Sequence, residues 1–195
     1  MGLLPSIPHR RQRGLSLVEV LITMVVLAFG LLGLAAFQAK AQVGSVESYQ
    51  RAQASVLLQD MQARLAANSG DAAAYVTTTA LGTGDTSTTD CATLAAGAAR
   101  DKCEWSAALR GASETTAAGA KIGAMQGARG CIAELRPRND AAGVCIPALY
   151  LVTVAWQGLH ETKAPPQSCG KGQYGTDTYR RAMSVRIVVG LTNCH

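Results

Sequence analysis

The chain has 195 residues, enough for one globular domain and an appendage. Its formal net charge is +5, but Arg10, Arg11 and Arg13 near the N-terminus supply three of the positive charges, so the remainder is nearly balanced and gives little support for nucleic-acid binding. Aromatic residues make up only 5% of the chain, which predicts a modest core and favours an additional means of stabilisation.

The first 14 residues, MGLLPSIPHRRQRG, form a short basic leader interrupted by Pro5 and Pro8. An apolar run over residues 20–37 follows, and as a helix it is about 27 Å long, close to the thickness of a bilayer core. Because the arginines precede the run, we expect the N-terminus in the cytoplasm and the bulk of the chain across the membrane.

Two processing schemes are compatible with this beginning. An ordinary signal peptide would be cut near Ala39-Lys40-Ala41, which offers an A-x-A-like site. The apolar run is longer than the usual 7–15 residues of such a peptide, and the carboxylate of Glu19 is unfavourable in a hydrophobic segment. In the other scheme the cut falls after Gly14, and the span stays in the mature protein.

The stretch GLSLVE, residues 14–19, followed by about 20 apolar residues, resembles the class III signal of type IV pilins and type II secretion pseudopilins. The resemblance implies that a prepilin peptidase cleaves between Gly14 and Leu15 and methylates the new amine of Leu15. Leu15 becomes the first mature residue, where the family usually has Phe, and Glu19 becomes the fifth.

Glu19 then has a physical role in assembly. In a filament it neutralises the positive amine of Leu15 in a neighbouring subunit, because neither charge is tolerated alone in an apolar core. The alternative is that Glu19 lies at the headgroup boundary and reaches water. The two readings are compatible, one for the membrane and one for the filament.

The helical pattern continues beyond the span. One helix from Leu15 to Ala67 is expected, about 80 Å long, with a membrane-spanning or filament-core half over 15–41 and an amphipathic half over 42–68. In the second half the apolar positions share one face: Ala54, Leu57, Leu58, Met61 and Leu65.

Residues 69–195 are expected to form a globular head outside the cytoplasm. Residues 70–90 are rich in Thr and Gly and predict a surface loop, after which Asp101 caps a short helix carrying Trp105 and Leu109. Strand patterns over 130–135, 144–157 and 182–191 predict an antiparallel sheet that covers the helix stripe, with regular pairing only after Pro147. The predicted fold is α+β, a pilin-like lollipop.

All six cysteines follow residue 90 and none forms a CxxC pair, so we expect three disulfides in an oxidising compartment and no metal. A β-hairpin favours Cys131–Cys145, and sequence neighbours then suggest Cys91–Cys103 and Cys169–Cys194. Pilins commonly anchor a C-terminal loop in this way.

Within the family, the N-terminal segment and the stretches EWSAALRGA, RGCI and LVTVAWQG resemble PilV-type minor pilins. This implies a low-abundance subunit that primes or joins pilus assembly and supports twitching, adhesion or DNA uptake through the fibre. The implied partners are other minor and major pilins, prepilin peptidase and the inner-membrane assembly platform. The protein would reside in the inner membrane with its head in the periplasm, and then in the extracellular pilus. A minor pseudopilin of type II secretion is the alternative within the family.

Other functional classes have weaker support. The chain has no G-x-S-x-G, H-E-x-x-H or P-loop motif, and His160-Glu161 falls on an expected loop, so we expect neither an enzyme nor a cofactor. A membrane-anchored module that binds DNA or another ligand stays open. It would use a basic patch, as against a solvated surface of mixed charge, and the candidate residues are Arg136, Arg138, Arg180, Arg181 and Arg186.

Overall fold

The computed structural model describes residues 16–86, 89–112, 117, 125–141 and 144–190. The chain divides into two units, residues 1–44 and 45–195. Helix α1, Leu17–Ala67, begins in the first unit and ends in the second. Its C-terminal end lies at the predicted residue, and the expected first residue, Leu15, lies outside the described residues.

The second unit buries one stripe of α1. The five apolar residues predicted to share a face are buried, together with Gln50. They belong to the same core cluster as the apolar residues of the sheet and of a second helix, α2, Ala98–Leu109. The apolar stripe of α1 is therefore buried against the rest of the second unit, as its helical periodicity predicted.

The sheet has four antiparallel strands in the order β1-β2-β3-β4. Their bounds are Leu81–Gly82, Arg129–Arg136, Ala148–Gln157 and Arg180–Val189. Short 3-10 segments span Ser69–Tyr75, Cys91–Thr93 and Asp177–Tyr179. The α+β prediction, a long helix packed on a small antiparallel sheet, is confirmed.

Strand β1 is the element that the sequence missed. It lies inside the Thr- and Gly-rich stretch that predicted only a loop, and two residues are too few to show a strand period. The other three strands lie within a few residues of their predicted bounds. Pairing in β3 begins directly after Pro147, as expected, and in β4 Ile187 and Val189 are buried on the core face.

Helix α2 connects the helical and sheet layers. Trp105 and Leu109 lie on this helix, as predicted, and the fold buries both of them. Trp105 Nε1 donates to the carbonyl of Leu57 in α1 at 2.9 Å. Gly130 of β2 faces the Trp105 ring so closely that a Cβ there would overlap it. The absence of a side chain at Gly130 thus creates the space for Trp105.

Asp101 does not cap α2, which corrects the prediction. The helix begins three residues earlier, with Gly97 at the cap, so Asp101 lies in the first turn. Its carboxylate accepts hydrogen bonds from Arg64 Nη1 at 2.9 Å, from Asn68 Nδ2 at 3.2 Å and from the hydroxyl of Tyr75. Asp101 therefore links α2 to the C-terminal end of α1 instead of capping α2.

Two cysteine pairs are described, and one of them corrects the expected pairing. Cys91 is bonded to Cys103, as the sequence suggested, and Cys131 is bonded to Cys169. The expected Cys131–Cys145 and Cys169–Cys194 pairs are therefore wrong. The reason is register: Cys131 lies opposite Thr153, whereas Cys145 precedes β3 and lies in the connection at the far end of the hairpin.

Cys145 is also disulfide-bonded, and we predict that its partner is Cys194, which lies outside the described residues. Ala148 pairs with Val189, so the chain on either side of this pair leaves the sheet at the same end. Five residues span up to about 17 Å, enough for Cys194 to return to Cys145. Peptide mapping of the unreduced protein should recover a peptide linking Cys145 to Cys194, and any peptide joining Cys194 to Cys169 would contradict the register argument.

Replacing Gly130 with alanine should destabilise the second unit. The added Cβ overlaps the Trp105 ring, and overpacking of this kind typically costs about 1–3 kcal/mol. Thermal unfolding of the full chain in detergent should show the lower melting temperature. The matched control is Gly70→Ala, because nothing lies within 4 Å of a Cβ at Gly70. Equal melting temperatures for the two variants would show that Trp105 can move aside freely.

Candidate membrane-anchor and assembly helix

The N-terminal turn of α1 is closed by Ser16. Its carbonyl accepts main-chain hydrogen bonds from Glu19 at 2.9 Å and from Val20 at 3.2 Å. Glu19 therefore lies in the first turn of the helix, where the partial positive charge of the helix N-terminus favours a carboxylate. Its side chain is exposed and has no ion-pair partner among the described residues.

After Glu19 the helix carries no charged residue until Lys40. The 20 intervening residues are about 30 Å long as a helix, the thickness of a bilayer's hydrocarbon core. The side-chain hydroxyl of Thr23 donates to the carbonyl of Val20 at 2.8 Å, so this polar group is satisfied within the helix. By length and composition, α1 is able to cross a membrane.

The apolar side chains of this segment are exposed all around the helix. Leu17 is 81% exposed, Phe29 72% and Phe37 69%, and no residue of the most apolar 18-residue stretch of the helix is buried. Continuous apolar surface of this extent is rare on soluble monomers and marks a site that contacts lipid or another apolar surface. The segment's environment must therefore come from outside the chain described here.

Of the three residues predicted to act in processing and assembly, the structure describes only Glu19. Glu19 is in the first turn of α1, but Gly14 and Leu15 lie outside the described residues, so the structure has no geometry for the expected cleavage. No group of three or more His, Cys, Asp or Glu side chains suited to a metal occurs among the residues that the structure describes.

The five arginines proposed as a basic patch do not share one exposed surface. Arg180 is 1% exposed, and Arg181 is also buried. Arg136 donates to the carbonyl of Pro147, and Arg138 forms an ion pair with Asp140. Two of the five guanidinium groups are thus used inside the fold, which the sequence did not reveal.

Arg180 holds the long connection between β3 and β4, residues 158–179, here called the strap. Its guanidinium forms an ion pair with Asp177 at 2.7 Å and donates to the carbonyls of Pro165, Gln167 and Cys169. The pairing with Arg180 lowers the pKa of Asp177. The spacing of Asp177 and Arg180, three residues apart, was the only sequence signal for this arrangement.

Two further contacts fix the strap. The Cys131–Cys169 disulfide joins it to β2, and the hydroxyl of Tyr174 donates to the carbonyl of Gly127 at 2.9 Å. Burial raises the pKa of Tyr174 to about 12, so this hydroxyl remains a donor in more alkaline solution than an ordinary tyrosine does. The strap thereby covers Ala155 on the sheet face opposite α1.

A family model described as the prokaryotic N-terminal methylation motif matches residues 9–35. The match supports a type IV pilin-like protein. It covers the last six leader residues with their three arginines, Gly14 among them, together with Glu19 and most of the apolar stretch, the same features that carry the resemblance in the sequence. Such a signal implies processing by prepilin peptidase and, in general terms, a pilus-type assembly context. Neither the curated proteins nor the solved structures contain a significant match to the chain.

A charge placed in the middle of the apolar segment should prevent stable anchoring. Phe29 lies midway between Glu19 and Lys40, and a lysine at the centre of a membrane helix costs about 2.5–3.5 kcal/mol on insertion scales. Phe29→Lys should shift protein from the carbonate-resistant membrane fraction to the soluble or degraded fraction, whereas Phe29→Leu should behave as the parent protein. Unchanged fractionation of Phe29→Lys would argue against a membrane span.

Proposed function

We propose that this protein is a minor type IV pilin, a structural subunit that primes or joins pilus assembly. The observation that carries the proposal is the methylation-motif match over residues 9–35, on a helix whose charge-free stretch begins directly after Glu19. The function is structural, not catalytic, and relies on helix packing.

Processing is the first step of the proposed role. Prepilin peptidase cleaves between Gly14 and Leu15 and methylates the amine of Leu15. Gly14 suits such a site because it has no side chain to obstruct the approach of the peptidase to the backbone. The cut removes the arginines of the leader and leaves the apolar segment as the new N-terminus.

Glu19 acts in the next step, when subunits assemble. The amine of Leu15 and the carboxylate of Glu19 are both costly in an apolar environment, but the cost falls when they pair between neighbouring subunits. Pairing of this kind sets the axial register of one subunit against the next. The exposed carboxylate in the first turn of α1, with no partner in its own described chain, is available for this contact.

The proposed layout follows from these steps. Residues 1–14 are the leader, 15–41 the membrane or filament-core helix, 42–68 the amphipathic helix, and 69–195 the head. The N-terminus faces the cytoplasm and the head faces the periplasm, and assembly then moves the subunit into the extracellular fibre. Its partners are prepilin peptidase, the inner-membrane assembly platform and other minor and major pilins.

The PilV-type assignment is supported by three segments of the head. EWSAALRGA forms the second half of α2 and the turn after it, RGCI begins β2, and LVTVAWQG forms most of β3. These segments supply Trp105, Ile132, Val152 and Trp156 to one core cluster. The resemblance is therefore to residues that build the head and not to scattered surface positions.

Gly14 and Glu19 should have separable roles. Gly14→Val should retain the leader, because a branched side chain obstructs the cleavage site. Glu19→Val should be cleaved and stay in the membrane but fail to enter or prime fibres, since an unpaired amine in an apolar core costs about 3–5 kcal/mol. In a strain lacking the native protein, a gel shift measures leader loss and shearing measures surface pili.

The matched control is Thr23→Val, which removes a polar group one turn further along the same helix without removing a charge. It should be cleaved and should support piliation. Normal piliation by Glu19→Val would refute the assembly role of the carboxylate. A mature chain beginning at Gln42 would indicate an ordinary signal peptide, and retention with a secretion complex in place of sheared fibres would favour a pseudopilin.

A further inference from the structure

Arg181, the second residue of β4, is a buried cation that joins the two ends of the strap. Its Nη1 donates to the hydroxyl of Thr162 at 2.6 Å and to the carbonyl of Thr178 at 3.2 Å. Its Nη2 donates to the carbonyl of His160 at 2.6 Å. One acceptor belongs to the last part of the strap and two to the first part, so both ends meet at this guanidinium.

The same guanidinium also contacts α1. Arg181 Nη2 forms an ion pair with Glu47 Oε1 at 3.3 Å, and the Glu47 side chain is 26% exposed. In the described part of the chain, no other side-chain hydrogen bond or ion pair joins α1 to β4 or to the strap. The Glu47–Arg181 contact is therefore the polar link between this helix and the strap.

The strap holds Arg181 in place without help from α1. Gly158 leaves the space for the guanidinium, because a Cβ there would lie 2.6 Å from Arg181 Cζ. The main-chain amides of Gly158 and Thr162 donate to the carbonyls of Tyr179 and Thr178, each at 2.8 Å, and so pair the two ends of the strap. Arg181 therefore remains hydrogen-bonded within the strap whether or not α1 is in contact with it.

The first part of α1 in the second unit, residues 45–53, buries almost no apolar surface. Gln50 is its one buried residue, whereas Val46 and Tyr49 are 45% and 50% exposed. Gln50 Oε1 is buried and has no hydrogen-bond partner among the described residues, and a buried acceptor without a partner is destabilising. Water would satisfy this oxygen if residues 45–53 separated from the rest of the second unit.

From Ala54 onwards, α1 is held by its apolar side chains. The five residues of the stripe from Ala54 to Leu65 are buried in the core cluster, and the carbonyl of Leu57 accepts the hydrogen bond from Trp105. Burial of several apolar side chains stabilises a contact far more than one partly exposed ion pair does. Residues 45–53 can therefore separate from the second unit while residues 54–67 stay packed.

We propose that the Glu47–Arg181 ion pair is a latch that holds residues 45–53 of α1 against the second unit. The packed part of α1 begins at Glu47 when the latch is closed and at Ala54 when it is open. The two positions are about 10 Å apart along the helix. The latch thus sets how much of α1 the second unit holds.

Thiol labelling of the full chain in detergent tests the latch. The described cysteines are all disulfide-bonded, and Gln50→Cys adds a thiol at a buried position that a maleimide reaches only when residues 45–53 separate from the second unit. In that background, Glu47→Ala should raise the labelling rate about fivefold, the effect of losing one partly exposed ion pair. Alanine favours a helix more than glutamate does, so a weaker helix cannot cause the increase.

Arg51→Ala is the matched control. Arg51 is exposed one helical turn after Glu47, so this variant removes any contact between the two side chains along α1 but keeps the contact with Arg181. It should leave the labelling rate unchanged. A second probe, Leu58→Cys, lies in the buried stripe, and Glu47→Ala should not change its labelling, because residues 54–67 stay packed.

Three outcomes would overturn the proposal. An unchanged rate after Glu47→Ala would show that Glu47 does not hold the segment. Equal effects of Glu47→Ala and Arg51→Ala would place the interaction within the helix. A parallel increase at the Leu58→Cys probe would mean that the whole second unit opens. Labelling needs no assembled fibre, so this test stands apart from the proposed pilin role.

Discussion

Helix α1 carries two different apolar surfaces along one continuous helix, and most of the fold follows from the need to cover the second of them. From Ala54 to Leu65 the apolar residues form a stripe, which the sheet and α2 bury. The hydrogen bond from Trp105 to the carbonyl of Leu57 sets the position of α2, and Gly130 leaves room for the indole. Before Lys40 the apolar surface is continuous around the helix and no part of the described chain covers it. The same helix therefore requires a folded head at one end and an apolar environment at the other.

A head with few aromatic residues is stabilised by cross-links as well as by its core. The Cys131–Cys169 bridge and the buried Arg180 both hold the strap, which buries Ala155 and Tyr174 on the second face of the sheet. At the end of α1, Arg64 contacts Asp60, Asp101 and Glu104 at once, and the hydrogen bonds that Glu104 accepts from Arg64 and Arg100 lower the pKa of Glu104. Such partly exposed pairs are individually weak, and their shared contribution is to fix where α2 and the Ser69–Tyr75 segment meet α1.

The energetic effect of the Glu19 carboxylate depends on its surroundings. At the start of a solvated helix, a carboxylate is favourable because of the helix dipole. At the edge of an apolar stretch of 20 residues, it is costly unless it reaches water or a cation. The positively charged N-terminal amine of a neighbouring chain, freed by cleavage, would supply that cation. A single acidic residue is uninformative by itself, but Glu19 together with Gly14 and the basic leader forms a specific motif.

The sequence by itself determined the features that depend on local period and composition. These are the apolar segment, the stripe from Ala54 to Leu65, the short helix that carries Trp105 and Leu109, and three of the four strands, because helical and strand periods are visible in neighbouring residues. Tertiary structure alone decided the pairing of Cys131 with Cys169, the contacts of Asp101 and the burial of Arg180. Each of these depends on strand register or on which surfaces meet across the fold, and residues distant in the chain carry no local pattern that records such a meeting. Strand β1 belongs with them, because two residues become a strand only when β2 lies alongside to pair with them.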